Sequence, residues 1–137
     1  IYPSTNIALY RQLTESNLVI TESSPNVQPI AYLFLARNRI IAGLSKATIV
    51  TEAAEKSGSL TTCRDAYEFH RKVFAVPGKI NAPYSKGCNK LIKEKTAQIT
   101  LEPADVLSSL GVNAEKLKMG SIQLDIKQQI VIDNIKI

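Results

Sequence analysis

Ala47-Thr-Ile-Val-Thr-Glu-Ala53 is a short, largely β-branched run that ends in a turn, and a helix-like stretch beginning Ser57-Gly-Ser-Leu-Thr-Thr62 follows it. Two further runs of the same kind, Asn17–Glu22 and Lys72–Gly78, also lead to helix-like stretches. Short apolar runs bounded by turn residues are typical of buried parallel strands. Strands that alternate with helices predict an α/β fold with a parallel sheet flanked by helices.

The rest of the chain extends this pattern in both directions. Asn6 is expected to cap a first helix that runs to about Ser16. Strands are predicted over residues 18–22, 47–53, 72–76 and, as a short element, 97–100, with helices over 37–45, 60–70, 89–95 and 103–110. With so few strands, the sheet is expected to be half of a doubly wound one. Alternating apolar residues in Gln129–Ile137 predict an edge strand or hairpin.

The composition narrows the class of protein. A length of 137 residues fits one domain with a sizeable core, and the net charge of +5 favours an acidic partner such as nucleic acid. No uninterrupted apolar stretch approaches the ~18 residues that a membrane span needs, and the N-terminus lacks a signal-peptide layout. We therefore expect a cytoplasmic protein without a membrane partner.

Residues for catalysis or metal binding are sparse. Cys63 and Cys88 form no CxxC pair, His70 is the single histidine, and Glu52 has no second carboxylate spaced for acid–base work. The simplest interpretation of either cysteine is a reduced thiol in a helix. We expect a protein that is not an enzyme and that holds no metal and no cofactor.

Three helix starts are expected to meet at one edge of the sheet. They are Phe34–Arg39, Ser57–Thr62 and Ser85–Lys90, each rich in small, amide or basic residues. A helix N-terminus carries unpaired backbone N–H groups and a partial positive charge. Several of them together predict a binding site for an anionic polymer or a nucleotide.

Each of these segments has two interpretations. Arginines at 37 and 39 could bind phosphate beside a base-stacking Phe34, or Arg39 could pair with Glu52 or Glu55 while Phe34 fills the core. Ser57-Gly-Ser59 with Thr61 and Thr62 could form an anion-binding nest or an ordinary helix cap. Lys86 could reach a phosphate or stay solvated.

Taken in order, these segments resemble the motifs of the DNA-processing protein A (DprA/Smf) family. The matching stretches are Tyr2–Asn6, Phe34–Ser45, Glu52-Ala53, Ser57–Thr62, Ala75–Gly78 and Ser85–Ile92. The resemblance implies the C-terminal half of a Rossmann-like domain over residues 1–111 and a non-matching tail over 112–137. It also implies binding of single-stranded DNA in natural transformation, loading of the RecA recombinase, and either a homodimer or pairing with a missing N-terminal half.

The resemblance assigns roles to individual residues. It implies base stacking by Phe34 and DNA contacts by the other positions that match the family's motifs: Arg37, Asn38, Arg39, Ser57, Gly58, Ser59, Thr62, Lys86, Gly87 and Asn89. Leu35 stands where the family usually has proline, and Cys88 where it usually has threonine. The family's glycine-serine-arginine loop has no counterpart in this sequence.

One alternative belongs to another functional class. A nucleotide- or phosphoribosyl-binding enzyme of related fold, such as a lysine-decarboxylase-like nucleosidase, shows a PGGxGTxxE signature that supplies a catalytic glutamate. Here Pro77-Gly78 is followed by Lys79-Ile80. The sequence therefore favours DNA binding over this alternative.

Overall fold

The structure, a computed structural model, describes residues 1–112 of the chain. They belong to two units, one formed by residues 1–101 and a second that begins at Glu102. The strand or hairpin predicted in Gln129–Ile137 lies outside the described residues. Across residues 1–112, every helix is too short or too polar to cross a bilayer.

The first unit alternates helices with short strands. Its helices are α1 (Ile7–Ser16), α2 (Ala31–Leu44), α3 (Ser59–Glu68) and α4 (Lys86–Lys93), its strands are β1 (Ala47–Val50), β2 (Lys72–Ala75) and β3 (Gln98–Ile99), and 3-10 turns span Ser4–Asn6 and Pro83–Ser85. The second unit contains α5 (Pro103–Ser109), which begins with a capping box between Glu102 and Asp105. The predicted alternation of strands and helices is confirmed.

The three strands form one parallel sheet in the order β1-β2-β3. Val50 is paired with Ala75, and Ala75 with Ile99, so the carboxyl ends of the strands meet at one edge. The hydrogen bonds from Val76 N to Val50 O (2.9 Å) and from Thr100 N to Ala75 O (3.0 Å) extend both pairings past the strands. This edge is where the loops that precede α3 and α4 begin.

The main core lies on one face of the sheet. Its buried residues come from three helices, two strands and the neighbouring loops: Ala42, Val50, Ala53, Cys63, Ala66, Val73, Ala75, Cys88 and Ala97. Side chains alternate along a strand, so Phe74, between Val73 and Ala75, points to the opposite face. Phe74 is only 1% exposed there, whereas Ile49, its partner on β1, is 50% exposed.

Helices α2 and α3 pack together and run in the same direction. A Cβ at Gly43, near the end of α2, would lie 3.7 Å from the ring of Phe69, which follows the last residue of α3. Arg71 donates from Nη2 to the carbonyl of Gly43 at 2.8 Å, which satisfies a carbonyl at the end of α2. With their C-termini together, the N-termini of both helices lie at the carboxyl edge of the sheet.

The strand predicted at residues 18–22 is wrong. Residues 18–21 form no strand, and Leu18 is 82% exposed. A β-branched run forms a strand only where a neighbour supplies hydrogen bonds, and within residues 1–112 β1 pairs with β2 alone. The apolar composition of this segment was therefore not sufficient to place it in the sheet.

The predicted start of the second helix is also wrong, because α2 begins at Ala31 instead of Arg37. Ile30, at its N-cap, is extended and gives no side-chain hydrogen bond, so the usual Ser, Asp or Asn signal is absent. The consequence is that Phe34 and Arg37 lie inside the helix, in its first two turns.

Phe74→Ala should lower the free energy of unfolding by about 3–5 kcal/mol, because the ring is fully buried and truncation leaves a cavity. The matched control is Tyr67→Ala, since Tyr67 is 53% exposed on α3 and should cost less than about 1 kcal/mol. Urea unfolding monitored by circular dichroism measures both. Equal destabilisation by the two substitutions would show that the second face of the sheet does not hold the fold together.

Candidate nucleic-acid interface

Two loops at the carboxyl edge of the sheet are joined by the backbone of Ala53. Ala53 N donates to the carbonyl of Tyr84 at 2.7 Å, and the carbonyl of Ala53 accepts from Gly87 N at 2.8 Å. Loop 51–58 follows β1, and loop 76–85 follows β2. We call these two loops, with the first turns of α3 and α4, the carboxyl-edge surface.

The turn before α3 has its serine side chains directed at one another. The hydroxyls of Ser57 and Ser59 lie 2.8 Å apart, and Ser59 N donates to the Ser57 hydroxyl at 3.4 Å. Gly58 is the N-cap of α3 and has no side chain to bond the first N–H groups. Gly58 and Ser59 are exposed, while Ser57 and Thr62 are half-buried. The turn combines exposed backbone with the positive end of a ten-residue helix.

Gly87 and Asn89, two predicted site residues, both contact protein. Gly87 is buried, and a Cβ there would lie 2.7 Å from the carbonyl oxygen of Ala53. The Asn89 amide donates to the carbonyl of Gly78 at 3.0 Å and accepts from Gly78 N at 3.1 Å. Gly87 therefore allows α4 to approach the β1 loop closely, and Asn89 holds the start of the β2 loop.

Phe34 and Arg37 are one turn apart on α2, so they share a face of the helix. The guanidinium carbon of Arg37 lies 6.0 Å from the centre of the Phe34 ring, at the outer limit of a cation–π contact. Phe34 is 44% exposed, so it is not a core residue. Arg37 Nε donates to Oδ1 of the half-buried Asn38 at 3.4 Å, a weak bond that leaves most of the guanidinium free to bind other groups.

Arg39 lies on a different side of α2 from Arg37, because residues two apart do not face each other on a helix. Its guanidinium forms an ion pair with Glu22. The partners expected from the sequence, Glu52 or Glu55, are therefore incorrect. The structure separates the two arginines of the predicted segment, and Arg37 is the one that accompanies the aromatic ring.

The shared direction of α2 and α3 puts Phe34 at the same end of the packed pair as the turn at Ser57. Measured back from the contact between Gly43 and Phe69, the helix rise places Phe34 about 14 Å along α2 and Ser59 about 15 Å along α3. The two residues are therefore level at the same end of the packed pair. Arg37 lies about 4.5 Å further from this end than Phe34.

Three exposed side chains on the same surface, those of Lys56, Lys79 and Tyr84, were not expected from the sequence, whereas that of Lys86 was. Lys56 and Lys79 are exposed on the two loops, and Lys86 is exposed at the first position of α4. Tyr84 is 66% exposed between them. The available sequence signal for Tyr84 was an aromatic residue two positions before Lys86, but this spacing does not show which loops meet.

The two cysteines lie beneath this surface. Burial, with the nearby Cys88 sulfur, raises the pKa of the Cys63 thiol to about 11, and burial also raises the pKa of Cys88. Cys88 Sγ lies 3.8 Å from the carbonyl oxygen of Val50. Both are buried free thiols, as the simplest interpretation predicted. Among the described residues no cluster of three His, Cys, Asp or Glu side chains could hold a metal.

The sequence of this chain matches a known protein family. The model of the family described as DNA recombination-mediator protein A matches residues 1–111. The chain is 46% identical over 107 residues to DNA processing protein DprA of Streptococcus pneumoniae, and 45% identical over 111 residues to protein Smf of Escherichia coli. These matches cover 78% and 80% of this chain but 38% and 29% of the relatives, so the chain spans about a third of their length.

Solved structures show the same fold. The X-ray structure of the Streptococcus pneumoniae protein matches with a TM-score of 0.69 and 45% identity, over 79% of this chain and 38% of that one. DNA processing protein A from Helicobacter pylori, whose structure concerns its single-stranded DNA binding mode, matches with a TM-score of 0.67 and 31% identity. The second match covers 80% of this chain and 50% of that one. The predicted partial Rossmann-like sheet is confirmed.

Gly87→Ala should destabilise the chain by about 1–3 kcal/mol, since the new methyl group would meet two backbone carbonyls closer than 3 Å. Gly58→Ala is the control, because a Cβ there would meet no atom within 4 Å. The free energy of unfolding of Gly58→Ala should change by less than about 1 kcal/mol. Alanine is a poorer N-cap, which destabilises the folded state, but it also makes the unfolded chain stiffer, which has the opposite effect. Thermal melting compares the two variants. If Gly87→Ala and Gly58→Ala had the same melting temperature, this result would contradict the close approach of α4 to loop 51–58.

Proposed function

This chain belongs to the DNA recombination-mediator protein A (DprA/Smf) family, and we propose that it binds single-stranded DNA through the carboxyl-edge surface and the first two turns of α2. The observation that carries the proposal is the pairing of a half-exposed Phe34 with Arg37, level with the turn before α3. An aromatic face and a phosphate-binding group side by side match the repeating unit of a single strand, which is a base and a phosphate.

The ring and the arginine have separate tasks in this proposal. Stacking on Phe34 requires a base that is not already stacked in a duplex, so it selects single strands. The Arg37 guanidinium presents a planar set of donors that can hold one phosphate with two hydrogen bonds. The weak bond to Asn38 helps to orient it.

In this proposal the carboxyl-edge surface binds the part of the DNA single strand that extends beyond Phe34 and Arg37. The exposed backbone of Gly58 and Ser59 lies at the positive end of α3, where phosphate oxygens are stabilised. Lys86 adds a flexible point charge at the start of α4. The net charge of +5 raises the rate of encounter with a polyanion.

Binding without catalysis is part of the proposal, as is a role beside a RecA-type recombinase. The family's description as a recombination mediator supports the second part. Because the chain spans about a third of its relatives, we also propose that it works with further protein, either a second copy or the remainder of the family's domain. The half-exposed Ile49 on the second face of the sheet supports this requirement.

Single-stranded oligonucleotides should bind more tightly than duplexes of the same sequence, because only they offer unstacked bases. Phosphate contacts by Arg37 and Lys86 should give a slope of about −1.4 or steeper for log affinity against log salt concentration. Fluorescence anisotropy at several salt concentrations measures both quantities. Equal affinity for the two forms would reject the stacking role of Phe34 and leave only nonspecific attraction.

Arg37→Lys should weaken binding by about 1 kcal/mol and Arg37→Ala by more, since lysine keeps the charge but loses the two-bond geometry. Lys86→Ala should cost less and mainly reduce the salt slope. The control is Lys93→Ala, which removes one charge from the opposite end of α4.

The same labelled oligonucleotide serves for all these variants, and thermal melting is recorded for each. An Arg37→Ala protein that binds like the unmodified chain but melts at a lower temperature would make Arg37 a structural residue. The assignment of the site to α2 would then be incorrect.

A further inference from the structure

The loop between β2 and α4 is closed on itself by Asn89. The Asn89 side chain makes two hydrogen bonds to the backbone of Gly78, of 3.0 and 3.1 Å. The space that a Cβ would occupy at Gly78 is filled by Ser85, whose hydroxyl oxygen lies 2.1 Å from that position. Residues 78–85 therefore start and finish at the same place, and we call them the clamped loop.

Tyr84 is the aromatic residue that the clamped loop presents. It lies in the 3-10 turn Pro83–Ser85, where the proline restricts the backbone, and its carbonyl accepts the 2.7 Å hydrogen bond from Ala53 N. The side chain is nevertheless 66% exposed. A fixed backbone with an exposed ring allows stacking at a small cost in conformational entropy, because a tyrosine side chain has few rotatable bonds.

Two lysines lie at the closed ends of the loop that carries this ring. Lys79 follows Gly78 and Lys86 follows Ser85, so the contact between Gly78 and Ser85 brings the two lysine backbones together. Both side chains are exposed, and neither forms an ion pair with another residue in 1–112. The loop and the first residue of α4 thus carry one exposed aromatic ring and two available positive charges.

We propose that Tyr84 is a second base-stacking platform for single-stranded nucleic acid, with Lys79 and Lys86 binding the phosphates on either side of the stacked base. The inference rests on the proposed function and extends it. The Ala53 hydrogen bonds connect this platform to loop 51–58, whose far end is the turn of Gly58 and Ser59 at the start of α3, the helix that packs against α2. A strand held at Phe34 can therefore continue across that turn to Tyr84.

The positive charges of Lys79 and Lys86 favour a nucleic acid over a protein as the molecule that binds at Tyr84. A protein partner that covered Tyr84 would also have to desolvate or pair both lysines, whereas a single strand supplies a phosphate for each and a base for the ring. If the exposed ring instead served a protein contact, its replacement would leave oligonucleotide binding unchanged. The experiment below separates these outcomes.

The test compares Tyr84→Leu, which keeps apolar bulk without an aromatic face, with Tyr84→Phe, which keeps the ring. Tyr67→Leu is the control, because Tyr67 is similarly exposed but lies near the opposite end of α3. Affinities are measured by anisotropy for oligothymidylates of about 4 to 16 nucleotides. Tyr84→Leu should lose at least about fivefold on long oligonucleotides and little on the shortest, while Tyr84→Phe and Tyr67→Leu retain binding.

A second measurement needs no variant. The unmodified chain is irradiated with a 5-iodouracil-containing oligonucleotide, and the cross-linked peptides are identified by mass spectrometry. Cross-links at both Phe34 and Tyr84 are expected, since halogenated bases react with the aromatic rings on which they stack.

The outcomes are distinguishable. If Tyr84→Leu binds every length like the unmodified chain and cross-links form only at Phe34, the second platform is rejected while the proposed function stands. If the unmodified chain binds no oligonucleotide at all, the proposed function and the second platform are rejected together. A Tyr84→Leu protein that fails to fold leaves the decision to the cross-link at Tyr84.

Discussion

The candidate site depends on the backbone of Ala53, because its N–H is bonded to Tyr84 in the loop that follows the next strand and its carbonyl to Gly87 in α4. The buried backbone N–H and carbonyl of a residue must both find partners, and here the partners come from the neighbouring loop and from the first turn of α4. Two loops that would otherwise move independently therefore form one surface. The absence of a side chain at Gly87 is what allows α4 to come close enough for this pairing.

A second constraint brings α2 to the same surface. Gly43 packs against Phe69 and its carbonyl accepts from Arg71, so the C-termini of α2 and α3 are held together. Helices that run in the same direction from a shared end reach similar distances along their axes after similar numbers of residues. Phe34 thus comes level with Ser59 although the two are separated by a strand and a loop. The site combines residues from α2, α3 and α4. The hydrogen bonds of Ala53 and the packing of Gly43 against Phe69 bring these three helices to one surface.

The sequence predicted the strands that pair and was wrong about the one that does not. Residues 47–50 and 73–75 are apolar, β-branched or aromatic and lie in segments flanked by turns, and they form adjacent strands. Residues 18–21 have the same character but form no strand. A β-strand forms only where its composition is suitable and a neighbouring strand is present to pair with it. A local sequence pattern shows the composition but not the neighbour. The early start of α2 at Ala31 was missed because Ile30 gives no capping signal.

The sequence by itself determined the α/β class, the order of the elements from β1 onwards, the family, and the presence of small and basic residues at three helix starts. Only the tertiary structure decided which of those residues can face a ligand. Asn89 binds Gly78, Gly87 is buried against Ala53, and Arg39 pairs with Glu22, whereas Phe34, Arg37 and Lys86 remain exposed. The reason is physical: a hydrogen bond or ion pair depends on distances between residues that are remote in the chain, and local residue patterns do not specify those distances.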